Sequence, residues 1–354
     1  MPARLLKFPY NSTSLPSRRG LNGVKHASFH SFAPSADVSA IVPTASSHTS
    51  RRGRFIAPSA DVSAIASPQS PQRLEALPKL GRRSGLGLIF SSAIALLAYK
   101  RRSLNRSGVA GAVASGTTIY TMGGWTWGLA LVLFFVSSSL LSHFRERDKT
   151  ETAADKFSKG SQRDLGQVVA NGGVATLLAL GYGLTSSSRT RESIQAGFTG
   201  ALAAANADTW ATELGVLSSR QPRLITTGKT VAPGTSGGIT LLGSAAAALG
   251  ASFLGLGMWV MQGCRNSLAS LPLIGLLGGL AGSLFDSLLG ATVQAIYYCP
   301  ACNKETERRI HNCGTKTRLL RGLSWINNDV VNFVATLFGA LAAMGSHLLF
   351  RGRK

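Results

Sequence analysis

Charged residues are scarce in this chain. They make up 15% of its 354 residues, against 45% hydrophobic ones, whereas a water-soluble domain carries about 25%. The deficit falls on the acids: 15 Asp and Glu face 37 Lys and Arg, for a net charge of +22. Such a charge is one mark of nucleic-acid binding. Aromatic residues reach only 7%, however, and the basic residues are dispersed over a tail and several loops. The stacking platform and concentrated basic face of a nucleic-acid binder are therefore lacking, and nucleic acid is not an expected partner. Cysteine is sparse too. Three of the four cysteines share one loop, which excludes a disulfide-stapled scaffold. Gly234-Thr-Ser-Gly-Gly238 fits Gly-x-Ser-x-Gly by letter alone, with no obvious histidine partner for Ser236; no Gly-x-Gly-x-x-Gly lies behind a strand, and Gly228-Lys229-Thr230 lacks the glycine five positions earlier that a P-loop needs. Serine-hydrolase, dinucleotide-fold and P-loop chemistry thus have no complete signature to rest on. The six histidines are scattered.

What the chain has instead is glycine, 40 residues of it, set in apolar runs. Small residues let transmembrane helices approach closely. Apolar windows fall near 86–99, 108–122, 125–143, 165–184, 193–209, 237–261, 271–297 and 325–349. The first two are shorter than the ~20 residues that cross a hydrocarbon core, so tilted, re-entrant or hairpin arrangements stay open there. The expected fold is all-α: a polytopic transmembrane bundle of about seven to nine helices. Strict alternation sends loops 100–106, 145–164, 210–236 and 299–323 to one side of the bilayer. Those loops hold most of the Lys and Arg of the membrane part, including Lys100, Arg101, Arg102, Arg308 and Arg309. The positive-inside rule puts that side in the stroma or cytosol.

Residues 1–78 are a different material, rich in Ser, Ala, Pro and Arg, with Asp37 and Asp61 the only acids up to Arg73. This composition predicts a disordered chloroplast transit peptide; a plain disordered tail is the alternative. The stretch 33–41 recurs as 57–65, without the periodicity of a solenoid. Residues 79–354 then form the membrane domain.

Polar residues interrupt the apolar runs at a few places. Asp208 closes one run, and Glu213 follows little more than a helical turn later. Asp286 lies deep in another run, among Gly, Ser and Thr, and Asp329 opens the last. Acids at membrane depth are costly and usually face a cavity or a partner. Asp208, Asp286 and Asp329 come from separate helices and together suit Mg²⁺, which takes a few carboxylates with waters and substrate phosphates. Lys229 and the loop Gly234, Thr235, Ser236, Gly237, Gly238 supply the complementary half, since backbone N–H groups ahead of a helix receive anions. Arg163 and Asn171, at the head of a further run, are additional phosphate contacts. The pattern points to chemistry on phosphates at a membrane surface. A second cluster reads Cys299-x-x-Cys302, then His311-x-Cys313. It is a Cys₃His zinc set by residue type, although the one-residue spacing of the second pair works against joint chelation. Reduced thiols and a disulfide are the alternatives.

Five phrases carry a family resemblance: residues 163–172, 207–215, 234–240, 286–292 and 327–332. They resemble an integral-membrane family that contains the chloroplast phytyl-phosphate kinase of vitamin E synthesis, with bacterial and animal relatives, and the leader and cysteine loop look like its plant and algal branch. The resemblance implies transfer of phosphate from a nucleoside triphosphate, CTP being one candidate, to phytyl phosphate. The product would feed tocopherol and phylloquinone synthesis from chlorophyll-derived phytol, in the inner envelope or thylakoid. On that reading Asp208, Asp286, Asp329 and Glu213 are catalytic, Mg²⁺ is the cofactor, and the partners are an isoprenoid phosphate and the bilayer. Another lipid-alcohol kinase, a nucleotidyl transferase, or a transporter of an anion or isoprenoid phosphate are the competing expectations.

Overall fold

A computed structural model of the chain describes residues 71–146, 148–149, 162–265 and 269–352. Residues 1–70, which hold most of the expected leader and its internal repeat, lie outside them. Eight long helices follow one another: α1 Pro71–Lys100, α2 Arg106–Gly123, α3 Trp125–His143, α4 Leu165–Leu184, α5 Ser188–Gly215, α6 Leu241–Met261, α7 Leu271–Thr292 and α8 Asn328–Arg351. The protein is a multi-pass membrane protein, with six of these helices (α1, α3, α4, α6, α7 and α8) long and apolar enough to cross a bilayer.

Three boundaries differ from the sequence reading. Helix α1 begins at Pro71, inside the stretch expected to be leader. The run ending at 297 stops being helical at Thr292, because Ile296–Cys299 pair as a strand, β3. Its Ile-Tyr-Tyr sequence is of the β-branched and aromatic kind that strands favour. Strand β3 sits between β4 (Lys304–Thr306) and β5 (Arg318–Arg321), both antiparallel to it. The Gly234–Gly238 loop does not open a helix directly. It leads into a two-residue strand, Gly238–Ile239, paired with Arg223–Leu224. Thr240 then caps α6 by accepting the Gly243 N–H at 2.9 Å.

Helix α5 is the axis of the bundle. It packs against α3, α4, α6, α7 and α8, and every residue from Gln195 to Ala207 is buried. Glycine makes that possible at one junction in particular. A Cβ added to Gly200 would lie 2.6 Å from the Gly339 carbonyl oxygen of α8, and one added to Gly278 of α7 would lie 3.0 Å from the Gly200 Cα. Backbones of three helices therefore meet with no room for a side chain, the small-residue packing that membrane bundles rely on. Asn206, fully buried, accepts from the Ser137 and Ser138 hydroxyls of α3 and donates to the Gly250 carbonyl of α6. Trp127 stacks on Phe198 at 4.0 Å and closes the α3–α5 contact. The helices alternate in direction, so the connectors after α1, α3, α5 and α7 share one end of the bundle. A backbone bridge between Leu104 and Arg163 joins the first two of them.

Candidate functional site

The acids gather at that connector end. Asp286 lies in the C-terminal half of α7, and in the amide orientation that satisfies both of its atoms Asn332 of α8 donates to Asp286 Oδ2 at 2.8 Å and to the Asn328 carbonyl at 3.3 Å. Asp286 is within electrostatic reach of Asp208 on α5 and of Glu307, which follows β4. Three acids from three separate elements thus share one locality. Like charges so placed repel unless a proton or a cation comes between them. Asp329 sits in the first turn of α8, where the helix dipole favours a carboxylate. Among the described residues, the three aspartates do not by themselves form a tight group of metal ligands; the one such group is Cys299, Cys302, His311 and Cys313.

Glu213 has other company. Its carboxylate accepts from the Ser142 hydroxyl and pairs with the Lys149 ammonium, each at 2.6 Å. Lys149 is nearly buried and also donates to the Leu141 and Ser142 carbonyls. Five residues on from Asp208, Glu213 points about 140° away around the helix. It clamps the ends of α3 and α5 together.

Glu307 was not legible as a site residue, and the glycine loop is organised around it. Ser236 Oγ donates to Glu307 Oε1 at 3.0 Å, and the buried Gln294 amide donates to the same oxygen at 2.8 Å. The Arg321 guanidinium bridges the Gly290 carbonyl at 2.8 Å and the Ser236 carbonyl at 3.3 Å; partial burial lowers its pKa. Gly237, at φ +82°, lies flat on α7: a Cβ there would be 2.6 Å from the Ala291 nitrogen. Two loop amides are already engaged, Thr235 N–H with the Ala232 carbonyl and Gly238 N–H with the Thr235 carbonyl. The loop is accordingly a clamped wall beside the acids, one turn beyond Asp286. Lys229 is exposed near the tip of the β1–β2 connection, where β1 is Arg223–Leu224 and β2 is Gly238–Ile239.

An apolar cleft of about 230 Å³ lies among α1, α2, α3 and α4. It runs from Tyr120 and Trp125 toward Phe135, and its polar end is made by Arg163, Gln167 and Asn171. The Arg163 guanidinium stands over Phe134 and Phe135, 5.5 and 5.8 Å from the ring centres. Burial lowers its pKa to about 10, with Glu213 opposing the fall, so it stays cationic at neutral pH. Asp164 and Gln167 form a reciprocal capping box at the start of α4, and the Asn171 amide donates to the Gln167 carbonyl at 2.9 Å. The polar head of this helix is thus partly a matter of capping.

The fourth feature is the cysteine loop, where the structure unites residues whose spacing works against joint chelation. All four ligand atoms of Cys299, Cys302, His311 and Cys313 lie within 4.8 Å of one another. Hydrogen bonding with Thr315 and then with His311 draws the Cys313 thiol down to about 6, while hydrogen bonding with Cys313 pushes the Cys302 thiol up to about 11.

A bundle of apolar helices with its acids and its clamped glycine loop at one end agrees with the comparison to known families. The profile of the integral membrane proteins termed DUF92 matches residues 89–340. The chain belongs to the DUF92 family. Over 284 residues it is 37% identical to Protein PGR of Arabidopsis thaliana, an alignment covering 74% of this chain and 96% of that protein. It is 30% identical over 260 residues to the uncharacterized membrane protein MJ0933 of Methanocaldococcus jannaschii, covering 72% and 91%. It is 23% identical over 243 residues to Protein VTE6, chloroplastic, of Arabidopsis thaliana, covering 68% of this chain and 64% of the relative. No solved structure matches. The membership read from the five sequence motifs is thus DUF92 membership, with plant and archaeal relatives.

Proposed function

We propose that this DUF92 protein is a membrane phosphotransferase that converts an isoprenoid phosphate to its diphosphate, with phytyl phosphate as the reference substrate. One observation carries the reading: Asp208, Asp286 and Glu307 converge beside a clamped glycine loop at the polar end of a helix bundle, and that bundle also holds an apolar cleft ending in Arg163. The apolar chain lies in the cleft, and its phosphate meets water at the connector end, where Arg163 and Asn171 receive it. In the transfer, an oxygen of the phosphate monoester attacks the γ-phosphorus of the nucleotide. The bond from that phosphorus to the β–γ bridging oxygen breaks, and the nucleoside diphosphate leaves. No general base is required, because a monoester is already anionic near neutral pH. Positioning and charge neutralisation are the catalytic requirements of such a step.

The clustered acids would repel a phosphate unless a cation stood between them. Oxygen donors of this kind suit Mg²⁺, which is held by one or two carboxylates plus waters and phosphates; Asp208 and Asp286 would hold it beside Glu307, and Asp329, in the first turn of α8, is the further proposed ligand. When bound, the ion supplies charge neutralisation across the transferring group. The amide of Asn332 orients Asp286, Glu307 holds the Ser236 hydroxyl, and Arg321 ties the Ser236 carbonyl to the Gly290 carbonyl of α7. We place the protein in a chloroplast membrane, in line with the leader composition and the chloroplastic relative. The higher identity to Protein PGR than to VTE6, 37% against 23%, favours a second reading in which the same chemistry serves a different lipid phosphate.

The test uses the purified chain in nanodiscs with Mg²⁺, a panel of isoprenoid phosphates and each nucleoside triphosphate, with products read by mass spectrometry. A lipid diphosphate with a matching nucleoside diphosphate is the expected result and names donor and lipid together. Release of pyrophosphate would replace the reading with nucleotidyl transfer. Absence of turnover, with the lipid phosphate moved across the bilayer, would replace it with transport.

A further inference from the structure

We infer that Cys299, Cys302, His311 and Cys313 form a closed tetrahedral Zn²⁺ site, and that this site braces the small sheet that delivers Glu307 and Arg321 to the glycine loop. The four ligands come from two adjoining turns. Cys299 ends β3 and Cys302 lies in the turn into β4; His311 and Cys313 lie in a second hairpin, in which the His311 N–H donates to the Thr315 carbonyl and the Thr317 N–H to the Arg309 carbonyl. Left-handed backbone at Asn303 (φ +53°) and Gly314 (φ +81°) turns each segment back so that its ligands face the other's.

The distances fit one ion. A Zn–S bond of about 2.3 Å in tetrahedral geometry separates two sulfurs by about 3.8 Å. Cys299 and Cys313 Sγ are 3.7 Å apart, and His311 Nδ1 is 3.2 Å from Cys313 Sγ. A disulfide would need about 2.05 Å. Three thiolates and an imidazole are the donor set of structural zinc rather than of Mg²⁺. With all four positions filled by protein, no open position is left for a reacting water, so the role is structural. Three thiolates around a divalent ion leave one net negative charge, and the same segment is net positive, with Lys304, Arg308, Arg309, Lys316 and Arg318 against Glu305 and Glu307. Cys299 is fully buried and His311 is 5% exposed, whereas Cys302 is half-buried and Cys313 exposed, so the cluster is shielded on one side and open to an incoming ion on the other.

The need for a staple is plain from the size of the sheet. Its strands are four, three and four residues long, far below what holds itself together by apolar burial. Yet this sheet must present Glu307, five residues after Cys302, to Ser236 and Gln294, and Arg321 to Gly290.

The full chain, purified in detergent without chelator and also after incubation with Zn²⁺ and desalting, should carry about one zinc per chain by inductively coupled plasma mass spectrometry. Replacement by Co²⁺ should give the near-ultraviolet thiolate-to-cobalt absorption and the visible bands of a tetrahedral S₃N centre, a readout that needs no variant. Cys302→Ser and His311→Ala should lower metal content at least about tenfold, while Cys264→Ser, outside the cluster, should leave it unchanged. Stripping the metal should expose the segment 299–323 to protease before the helices unfold. Zinc below about a tenth per chain in the reconstituted protein, iron in its place, or a Cys–Cys bond by intact mass would each overturn the inference. So would a cobalt spectrum unaffected by His311→Ala, or cleavage in 299–323 that is the same with and without metal.

Discussion

Helices α1 and α5 are of similar length, 30 and 28 residues, and their relation to hydropathy is inverted. Helix α1 qualifies as a membrane span although only 11% of its apolar window is buried within the protein. Helix α5 does not qualify, although its middle is enclosed on every side. The apolar side chains of α1, such as Leu88, Ile89, Leu96 and Leu97, are exposed and face lipid, where length and apolarity are what count. Helix α5 is surrounded by other helices, so alanine, glycine and a satisfied asparagine serve it better than leucine. Hydropathy therefore reports contact with lipid, whereas small-residue content reports depth within the bundle.

Substitutions can break this contrast in order of expected size. Gly200→Leu should abolish recovery of monodisperse protein, and Gly200→Ala should cost about 1–3 kcal/mol, because the added carbon meets the α8 backbone. Thermal melts in detergent followed by fluorescence-detected size exclusion would check both. Asp286→Asn should lower turnover at least about a hundredfold, the scale of losing a preorganised charge. Its melting temperature should hold or rise, since a repulsion with Asp208 and Glu307 is relieved. A melting temperature that falls together with activity would mean that Asp286 is structural. Lys149→Ala should behave in the opposite way, losing about 1–3 kcal/mol because the largely buried Glu213 carboxylate is stranded. Turnover per folded molecule should stay within about twofold; a larger drop in the initial rate would return Glu213 to the catalytic group. The smallest effect is expected at the lipid face: Leu97→Ala on α1 should shift stability by less than about 0.5 kcal/mol. If it matched Gly200→Ala, the assignment of α1 to lipid and of α5 to the protein interior would fail.

Much of the membrane architecture was readable beforehand, because an apolar window and its flanking polar residue are both local signals. Asn105, Asp164, Ser187, Thr240 and Asn327 each precede a run and each caps the helix that follows. The candidate site was legible only in part. Asp208 and Asp286 stand out because an acid amid leucine and glycine is expensive. Glu307 does not, because it lies between Glu305 and Arg308 in a loop dense with charge. Its partner Ser236 is 71 positions away, and no local period encodes such a contact. Glu213 is conspicuous for the same reason as Asp208, whereas its ion pair with Lys149, 64 residues upstream, has no local signal.

By itself the sequence determined that this chain would lie in a membrane as a bundle of glycine-rich helices, that its polar motifs would fall on one side, and that it belongs among the DUF92 proteins. The first two follow from composition and from spacing along single helices, where each residue answers to the bilayer one at a time, and the third from the likeness of its motifs to known proteins. Only the tertiary structure decided which acids share a site, that the glycine loop is pinned to α7 and does not open α6, and that two tight turns bring three cysteines and a histidine to one point. The third depends on the backbone of two turns close in sequence, and the first two on segments brought together across tens of residues. There, close backbone approach and charge pairing act between segments that carry no record of each other in their local sequence.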